Sequence, residues 1–140
     1  MRYGFFQLHR DLFEDEEIGR LRDACVAVFP RYAENNKLSM ATVFHNRAED
    51  PESFTQLEEV LKWFWASPFP GIFHAIHKEV PALMIDLLSV RYHQRDSSAS
   101  HVGWHADANF MTASGPMMVC WVPLDSVGET APGLEFCLPR

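Results

Sequence analysis

The stretch DPESFTQLEEVLKWFWASPFPG, residues 50–71, carries the clearest secondary-structure signal in this chain. An aspartate followed by a proline is typical of a helix N-terminus, because Asp caps the first N–H groups and Pro fits the first helical position. An apolar face follows at helical spacing and consists of Phe54, Leu57, Leu61, Phe64 and Trp65. The stretch therefore predicts a helix that begins at Pro51 and ends before Pro68.

Helical patterns flank this stretch on both sides. Upstream, Asp11 and Glu14 resemble a capping box, and we expect Pro30 to end the helix that follows. The inward residues of that helix are Ile18, Leu21, Cys25 and Val28. The segment 32–50 has no sustained period and predicts a loop with one short strand. Downstream, residues 72–79 predict a third, shorter helix. Its inward residues are Phe73, Ile76 and Val80.

From Leu83 onward the apolar runs become short, β-branched or aromatic, and turn residues bound them. The predicted strands are 87–94, 102–107, 117–124 and 134–138. Helices followed only by strands favour an α+β fold with an antiparallel sheet over alternating βαβ units. We therefore expect one domain, helical over residues 1–82 and β-rich over residues 83–140.

Composition excludes several classes of function. The 12 Lys and Arg residues against 19 Asp and Glu give a net charge of -7, and the basic residues are scattered, which argues against nucleic acid as a partner. The cysteines are odd in number and form no CxxC pair, which indicates reduced thiols: Cys25, Cys120 and Cys137. No apolar run reaches the length of a membrane span, so we expect a cytoplasmic protein that meets a small-molecule substrate and no membrane.

The chemistry-bearing cluster is His105-Ala106-Asp107, within GWHADANF, residues 103–110. On an extended backbone, residues i and i+2 point to the same face, so the imidazole and the carboxylate can converge on one ion. One imidazole and one carboxylate, completed by a second histidine, form the facial triad that suits Fe(II). The His-x-Asp pattern also arises by chance, and the alternative is a surface histidine beside a turn aspartate.

Four segments together resemble one enzyme family. They are WHADANF at 104–110, CWVPLD at 120–125, APGLE at 131–135, and the N-terminal GFF at 4–6 with LFEDEEI at 12–18. The first three are similar to the W-H-x-D, W-x-x-L-D and P/N-G-x-L motifs of phytanoyl-CoA dioxygenase-like enzymes, and the last resembles the opening helix of that family.

The resemblance implies N-terminal helices packed on a double-stranded β-helix, or jelly-roll, with an Fe(II) and 2-oxoglutarate site in its mouth. The implied activity is oxidative decarboxylation of 2-oxoglutarate to succinate, coupled to hydroxylation of a small molecule. By this resemblance His105 and Asp107 would bind the iron.

Further site residues follow from the resemblance and from strand adjacency. Trp121 matches a position near 2-oxoglutarate in the family, although a tryptophan in a strand also suits a core. The neighbouring strand adds further candidates for the co-substrate, namely Tyr92, His93 and Gln94. Asn109 and Phe110 would face the substrate entrance.

The chain departs from the family pattern after the metal pair. The family has a second iron-binding histidine and then an arginine for 2-oxoglutarate, yet no histidine follows His105 and the one later basic residue is Arg140. His93 and His101 are weak substitutes for the missing histidine, and His74 and His77 are expected to face solvent. A jelly-roll needs about eight strands, whereas this sequence predicts four or five.

We therefore expect an N-terminal fragment, a truncated homologue, or a chain whose missing half comes from a partner. Unpaired strand edges would then favour an oligomer. The alternative function is a catalytically inactive jelly-roll or cupin-like binding or interaction module.

Overall fold

The computed structural model describes residues 12–93, 102–107, 115–128 and 131–137. These residues form four helices and one two-stranded antiparallel sheet, so the predicted mixed α+β class is confirmed. The elements in chain order are α1 (Asp15–Tyr32), β1 (Lys37–Ser39), α2 (Met40–His45), α3 (Pro51–Ala66), α4 (Phe69–His77) and β2 (Ser89–Arg91). Within the described ranges, no helix combines the length and the apolar character that crossing a bilayer requires.

Helix α1 begins one turn later than the predicted capping box suggests. Glu14 is the N-cap, and its backbone N–H donates to Oε2 of Glu17 at 3.0 Å in a reciprocal capping box. Asp11 lies outside the described residues. The prediction that Pro30 ends the helix is wrong, because proline removes only one hydrogen bond and the helix continues to Tyr32. Contacts of the last turn with the start of α3 outweigh that loss.

Helix α3 has the predicted bounds. Asp50 caps it by accepting the Ser53 N–H at 3.1 Å, and Pro51 occupies the first position. Leu57 is fully buried, whereas Trp65 is 50% exposed because it lies at the edge of the apolar face. The apolar pattern therefore predicts the bounds of the helix correctly, but it predicts a wider buried face than the structure has.

The segment predicted as a loop with one strand contains both β1 and α2. Strand β1 pairs with β2 in the register Lys37↔Arg91, Leu38↔Val90 and Ser39↔Ser89. The short strand predicted in this segment is confirmed, and it lies between α1 and α2. A helix of six residues is too short to show a period in the sequence, which is why α2 was not predicted.

The core lies between α1, α3 and the β1–α2 segment. Its buried apolar residues are Leu21, Ala24, Cys25, Val28, Leu38, Met40, Val43, Leu57 and Val60. Burial raises the pKa of the Cys25 thiol to about 12, which keeps it protonated and unreactive. Cys120, in contrast, is exposed.

Helix α4 begins at Phe69, three residues before its predicted start. Phe69 is its buried residue, and its ring lies 6.0 Å from that of Trp63. Ile76 is 37% exposed and Val80 is 86% exposed, so the prediction that they point inward is wrong. Phe73 is half-buried, and Val80 lies beyond the end of the helix at His77.

Of the strands predicted after residue 83, the described residues contain one, β2 (Ser89–Arg91). Strand β2 confirms the centre of the predicted strand 87–94, and all four helices lie before residue 83. The described parts of 102–107, 117–124 and 134–138 form no strand, because no neighbouring segment pairs with them there. The jelly-roll therefore stays a prediction.

A cluster of polar side chains joins the end of α1 to the start of α3. The Asp50 carboxylate accepts hydrogen bonds from the Ser53 hydroxyl at 2.6 Å, the Tyr32 hydroxyl at 2.9 Å and the Arg31 guanidinium at 3.1 Å. These bonds, above all those from the Ser53 hydroxyl and N–H, hold the pKa of Asp50 well below its usual range. The ionised carboxylate is therefore the form that the fold favours.

We expect Asp50→Asn to lower Tm at pH 7. We also expect the Tm of this variant to decrease less than that of wild type when the pH is lowered into the acid range. Because the pKa in the folded state lies below the unfolded value of about 3.9, ionised Asp50 stabilises the fold above about pH 4. That stabilisation is lost as the pH falls below 4 toward the pKa of the folded state.

Thermal unfolding followed by circular dichroism from pH 7 to acid tests this. Asp23→Asn, at a carboxylate that is 78% exposed, is the control and should follow wild type. Equal acid profiles for Asp50→Asn and wild type would contradict the prediction.

Candidate metal centre

His105 and Asp107 lie side by side in the described hexapeptide 102–107. The Nε2 atom of His105 is 3.2 Å from Oδ1 of Asp107, and the two side chains are 37% and 52% exposed. The two predicted ligands thus lie close together, although residues 102–107 form no strand among the described residues.

The backbone of Gly103 orients the His105 ring. Its carbonyl oxygen lies 2.7 Å from Nδ1 of His105. A carbonyl oxygen only accepts, so Nδ1 carries the hydrogen and Nε2 is the nitrogen that faces Asp107. Metal-bound histidines typically donate their second ring N–H to a carbonyl or carboxylate in this way. Gly103 was not predictable as a site residue, because a backbone carbonyl leaves no signal in residue type.

The separation of the two side-chain atoms fits ligation of one ion. Nitrogen and oxygen ligands each lie roughly 2.0–2.2 Å from an ion such as zinc, so two of them at a right angle are about 3 Å apart. The observed 3.2 Å matches two adjacent positions of such a shell. A direct hydrogen bond between an imidazolium and a carboxylate has the same separation, so the distance permits both arrangements.

A third protein ligand does not join this pair within the described part of the chain, where no group of three His, Cys, Asp or Glu side chains could hold a metal. His93, one of the two substitutes in the sequence, has a buried Nδ1 without a hydrogen-bond partner among the described residues and belongs to no such group. His101 lies outside the described residues. His74 is exposed, and its Nδ1 lies 3.1 Å from the Glu79 carbonyl oxygen. The residues present therefore fit two ligand positions.

The predicted co-substrate and substrate residues are less well supported by the structure. The Tyr92 ring packs 5.6 Å from the ring of Phe29 on α1, and its N–H donates to the Asn36 carbonyl. Trp121 is 43% exposed and thus is not part of the core. Three further candidates lie outside the described residues, namely Gln94, Asn109 and Phe110. The roles of these residues toward 2-oxoglutarate and substrate stay predictions.

Two cavities occur on other parts of the described chain. One of about 100 Å³ lies between the start of α1 and the end of α3, where Phe13 and Trp63 line it. The other, of about 380 Å³, lies between α1 and residues 123–126, and Arg22 approaches Asp125 across it at 3.6 Å. His105 and Asp107 line neither of these two cavities, and their side chains are 37% and 52% exposed.

Comparison of the chain with protein-family models, curated proteins and solved structures finds no match. Membership of the phytanoyl-CoA dioxygenase-like family therefore stays a prediction from the motifs quoted above.

Proposed function

We propose that this chain is an Fe(II)- and 2-oxoglutarate-dependent oxygenase that hydroxylates a small molecule, with His105 and Asp107 as two of its iron ligands. The observation that carries the proposal is the 3.2 Å approach of His105 Nε2 to Asp107 Oδ1, with the ring held through Nδ1. The resemblance of the surrounding motifs supports 2-oxoglutarate as the co-substrate and a jelly-roll as the complete fold.

The described residues contribute orientation and charge. The Gly103 carbonyl restrains rotation of the imidazole, so Nε2 keeps its position beside the carboxylate. Asp107 supplies the anionic oxygen that a facial set of one carboxylate and two histidines requires. When bound, iron supplies the activation of oxygen, and the protein supplies the orientation of the reactants.

The remaining parts of the proposed site come from the resemblance. We assign Trp121, Tyr92, His93 and Gln94 to the side that receives 2-oxoglutarate, and Asn109 with Phe110 to the side that receives the substrate. The third ligand comes from outside the described residues.

Binding of 2-oxoglutarate tests the proposal. We expect 2-oxoglutarate to bind the protein in the presence of Co²⁺, an oxygen-stable substitute for Fe(II), and not in its absence. His105→Ala and Asp107→Asn should each weaken that binding at least about 10-fold, because each removes one of few ligands to the ion. Isothermal titration calorimetry measures the binding, and succinate formation with Fe(II) and oxygen measures turnover.

The control variant is His74→Ala, since His74 is also an exposed histidine whose Nδ1 approaches a backbone carbonyl, and it stands apart from the proposed centre. It should bind 2-oxoglutarate like wild type. Binding that needs no metal, or that survives both ligand substitutions, would contradict the proposal.

A catalytically inactive binding or interaction module is the second candidate. The exposure of His105 and Asp107 and their place outside both cavities favour it, because a hydroxylase needs to shield its reacting groups from water. In this case the pair is a direct His–Asp hydrogen bond. The same titration then shows no heat from Co²⁺ or from 2-oxoglutarate, while circular dichroism shows a folded protein.

A further inference from the structure

We infer that the exposed face of the β1–β2 sheet binds a phosphoryl dianion, either as free phosphate or as the phosphate monoester of a small molecule. The residues of this site are Lys37 and Ser39 on β1, with Ser89 and Arg91 on β2. The inference is independent of the proposed function, because none of these four residues belongs to the proposed metal centre.

Two cations lie directly opposite each other on this sheet. Lys37 pairs with Arg91 in the antiparallel register, and both residues are exposed on the same face. Among the described residues, neither cation forms an ion pair, although the chain has 19 Asp and Glu residues. Like charges directly opposite on neighbouring strands destabilise a sheet. A bound anion removes that repulsion and supplies the missing negative charge.

Two hydroxyl groups lie on the same face as the cations. Ser39 pairs with Ser89 in the register, and each lies two residues from a cation, so the alternation of side chains puts all four on one face. Ser39 precedes α2 as its N-cap, but its side chain makes no capping hydrogen bond. Both serines are partly exposed, so their hydroxyls can donate to the oxygens of a bound anion. The face therefore offers two positive charges and two O–H donors.

The space between the cations and the hydroxyls is not filled by a side chain of either strand. The middle pair of the sheet, Leu38 and Val90, points to the opposite face, where Leu38 is fully buried and Val90 packs against the core. The cation pair and the serine pair are two residues apart, which is roughly 7 Å along a strand. Because lysine and arginine have long side chains, a group with several oxygens can contact the cations and a hydroxyl together.

The chemistry of this face favours a phosphoryl group over other anions. The planar guanidinium of Arg91 matches two phosphate oxygens at once, and Lys37 adds a compact positive charge. A phosphate monoester carries a charge of about -1.5 to -2 at pH 7 and has three acceptor oxygens on one atom, so a single group can satisfy both cations. A nucleic acid would require a longer basic surface, and the basic residues of this chain are scattered.

Nitrogen–proton correlation NMR of the whole chain tests the inference. We expect inorganic phosphate and glycerol phosphate, each added at about pH 8 and low ionic strength, to shift the amide signals of residues 37–39 and 89–91 until they saturate. Lys37→Gln and Arg91→Gln should each weaken this binding at least about 3-fold, because each removes one of two exposed cations. The double variant should show no saturable shifts. Lys78→Gln, which removes an exposed lysine at the end of α4, is the control and should bind like wild type.

Thermal unfolding separates loss of binding from loss of folding. Without phosphate, both single variants should keep the Tm of wild type or exceed it slightly, because the repulsion between the two cations is gone. Phosphate should raise the Tm of wild type and leave that of the double variant unchanged, since a ligand stabilises only the fold that binds it.

The two phosphates identify the source of the phosphoryl group. Tighter binding of glycerol phosphate supports a phosphorylated small molecule as the ligand, and tighter binding of inorganic phosphate supports the free anion. Malonate carries two negative charges on separate carboxylates, and it should bind more weakly than either. Equal binding of malonate, equal binding by the double variant, or the absence of saturable shifts on β1 and β2 would each overturn the inference.

Discussion

Leu57→Ala should lower the free energy of unfolding by about 2–5 kcal/mol, the range for a buried leucine truncated to alanine. Leu57 has no exposed surface and lies in the buried cluster that α3 forms with α1 and β1. The substitution removes apolar contacts and leaves a cavity that neighbouring helices fill only in part. A domain of this size has only about 5–15 kcal/mol of stability in total, so the loss is a large share.

Urea unfolding followed by circular dichroism measures this effect, with an expected fall in Tm of roughly 10 °C as a second readout. Leu87→Ala is the matched control, because the same atoms are removed from a side chain that is 46% exposed. Leu87→Ala should lower the free energy of unfolding by less than about 1 kcal/mol. Equal losses in the two variants would show that Leu57 is not in the core.

Leu38→Asp should abolish cooperative folding. Leu38 is the central residue of β1, is fully buried and lies opposite Val90 of β2. An aspartate there would place a carboxylate among apolar side chains without a cationic partner, at a cost of several kcal/mol. The described residues of the cluster around Leu38 are apolar, so none of them could pair with the new carboxylate.

The neighbouring position supplies the control for this substitution. Lys37 points to the exposed face of β1 and lies opposite Arg91, so Lys37→Asp exchanges a pair of like charges for an attractive one. This variant should keep the Tm of wild type or exceed it slightly. Thermal melts and near-ultraviolet circular dichroism of both variants test whether Leu38 is buried and Lys37 is exposed on β1. A folded Leu38→Asp protein would contradict the buried position of that residue.

Local signals were sufficient for the longer helices. The Asp50-Pro51 start and the repeating apolar face predict α3 with its bounds, since both signals depend only on residues of the helix itself. For α1 the pattern predicts the buried Leu21, Cys25 and Val28 correctly. The predicted end at Pro30 fails because the bonds from Arg31 and Tyr32 to Asp50 connect residues that are far apart in the chain.

Elements that depend on distant partners were predictable only coarsely. The sequence predicts one short strand within residues 32–50, whereas the position and register of β1 depend on its pairing with β2. Val80 continues the apolar spacing of α4 yet is 86% exposed, because the helix ends at His77 and does not extend to it.

The candidate site, too, has features that the sequence predicts and features that only the structure shows. The closeness of His105 and Asp107 agrees with the prediction, although residues 102–107 form no strand and the strand geometry used for that prediction is therefore absent. The role of the Gly103 carbonyl depends on backbone conformation and is visible only in three dimensions. Within the described residues no third side chain joins this pair as a ligand.

The pairing of β1 with β2 also bears on the order in which the chain folds. The two strands lie roughly 50 residues apart in the sequence, so joining them closes a long loop and carries a large entropic cost. Helices α2, α3 and α4 meet through contacts between near neighbours in the chain, which form faster. We therefore expect the helices to dock first and shorten the effective loop, and the short sheet to close last.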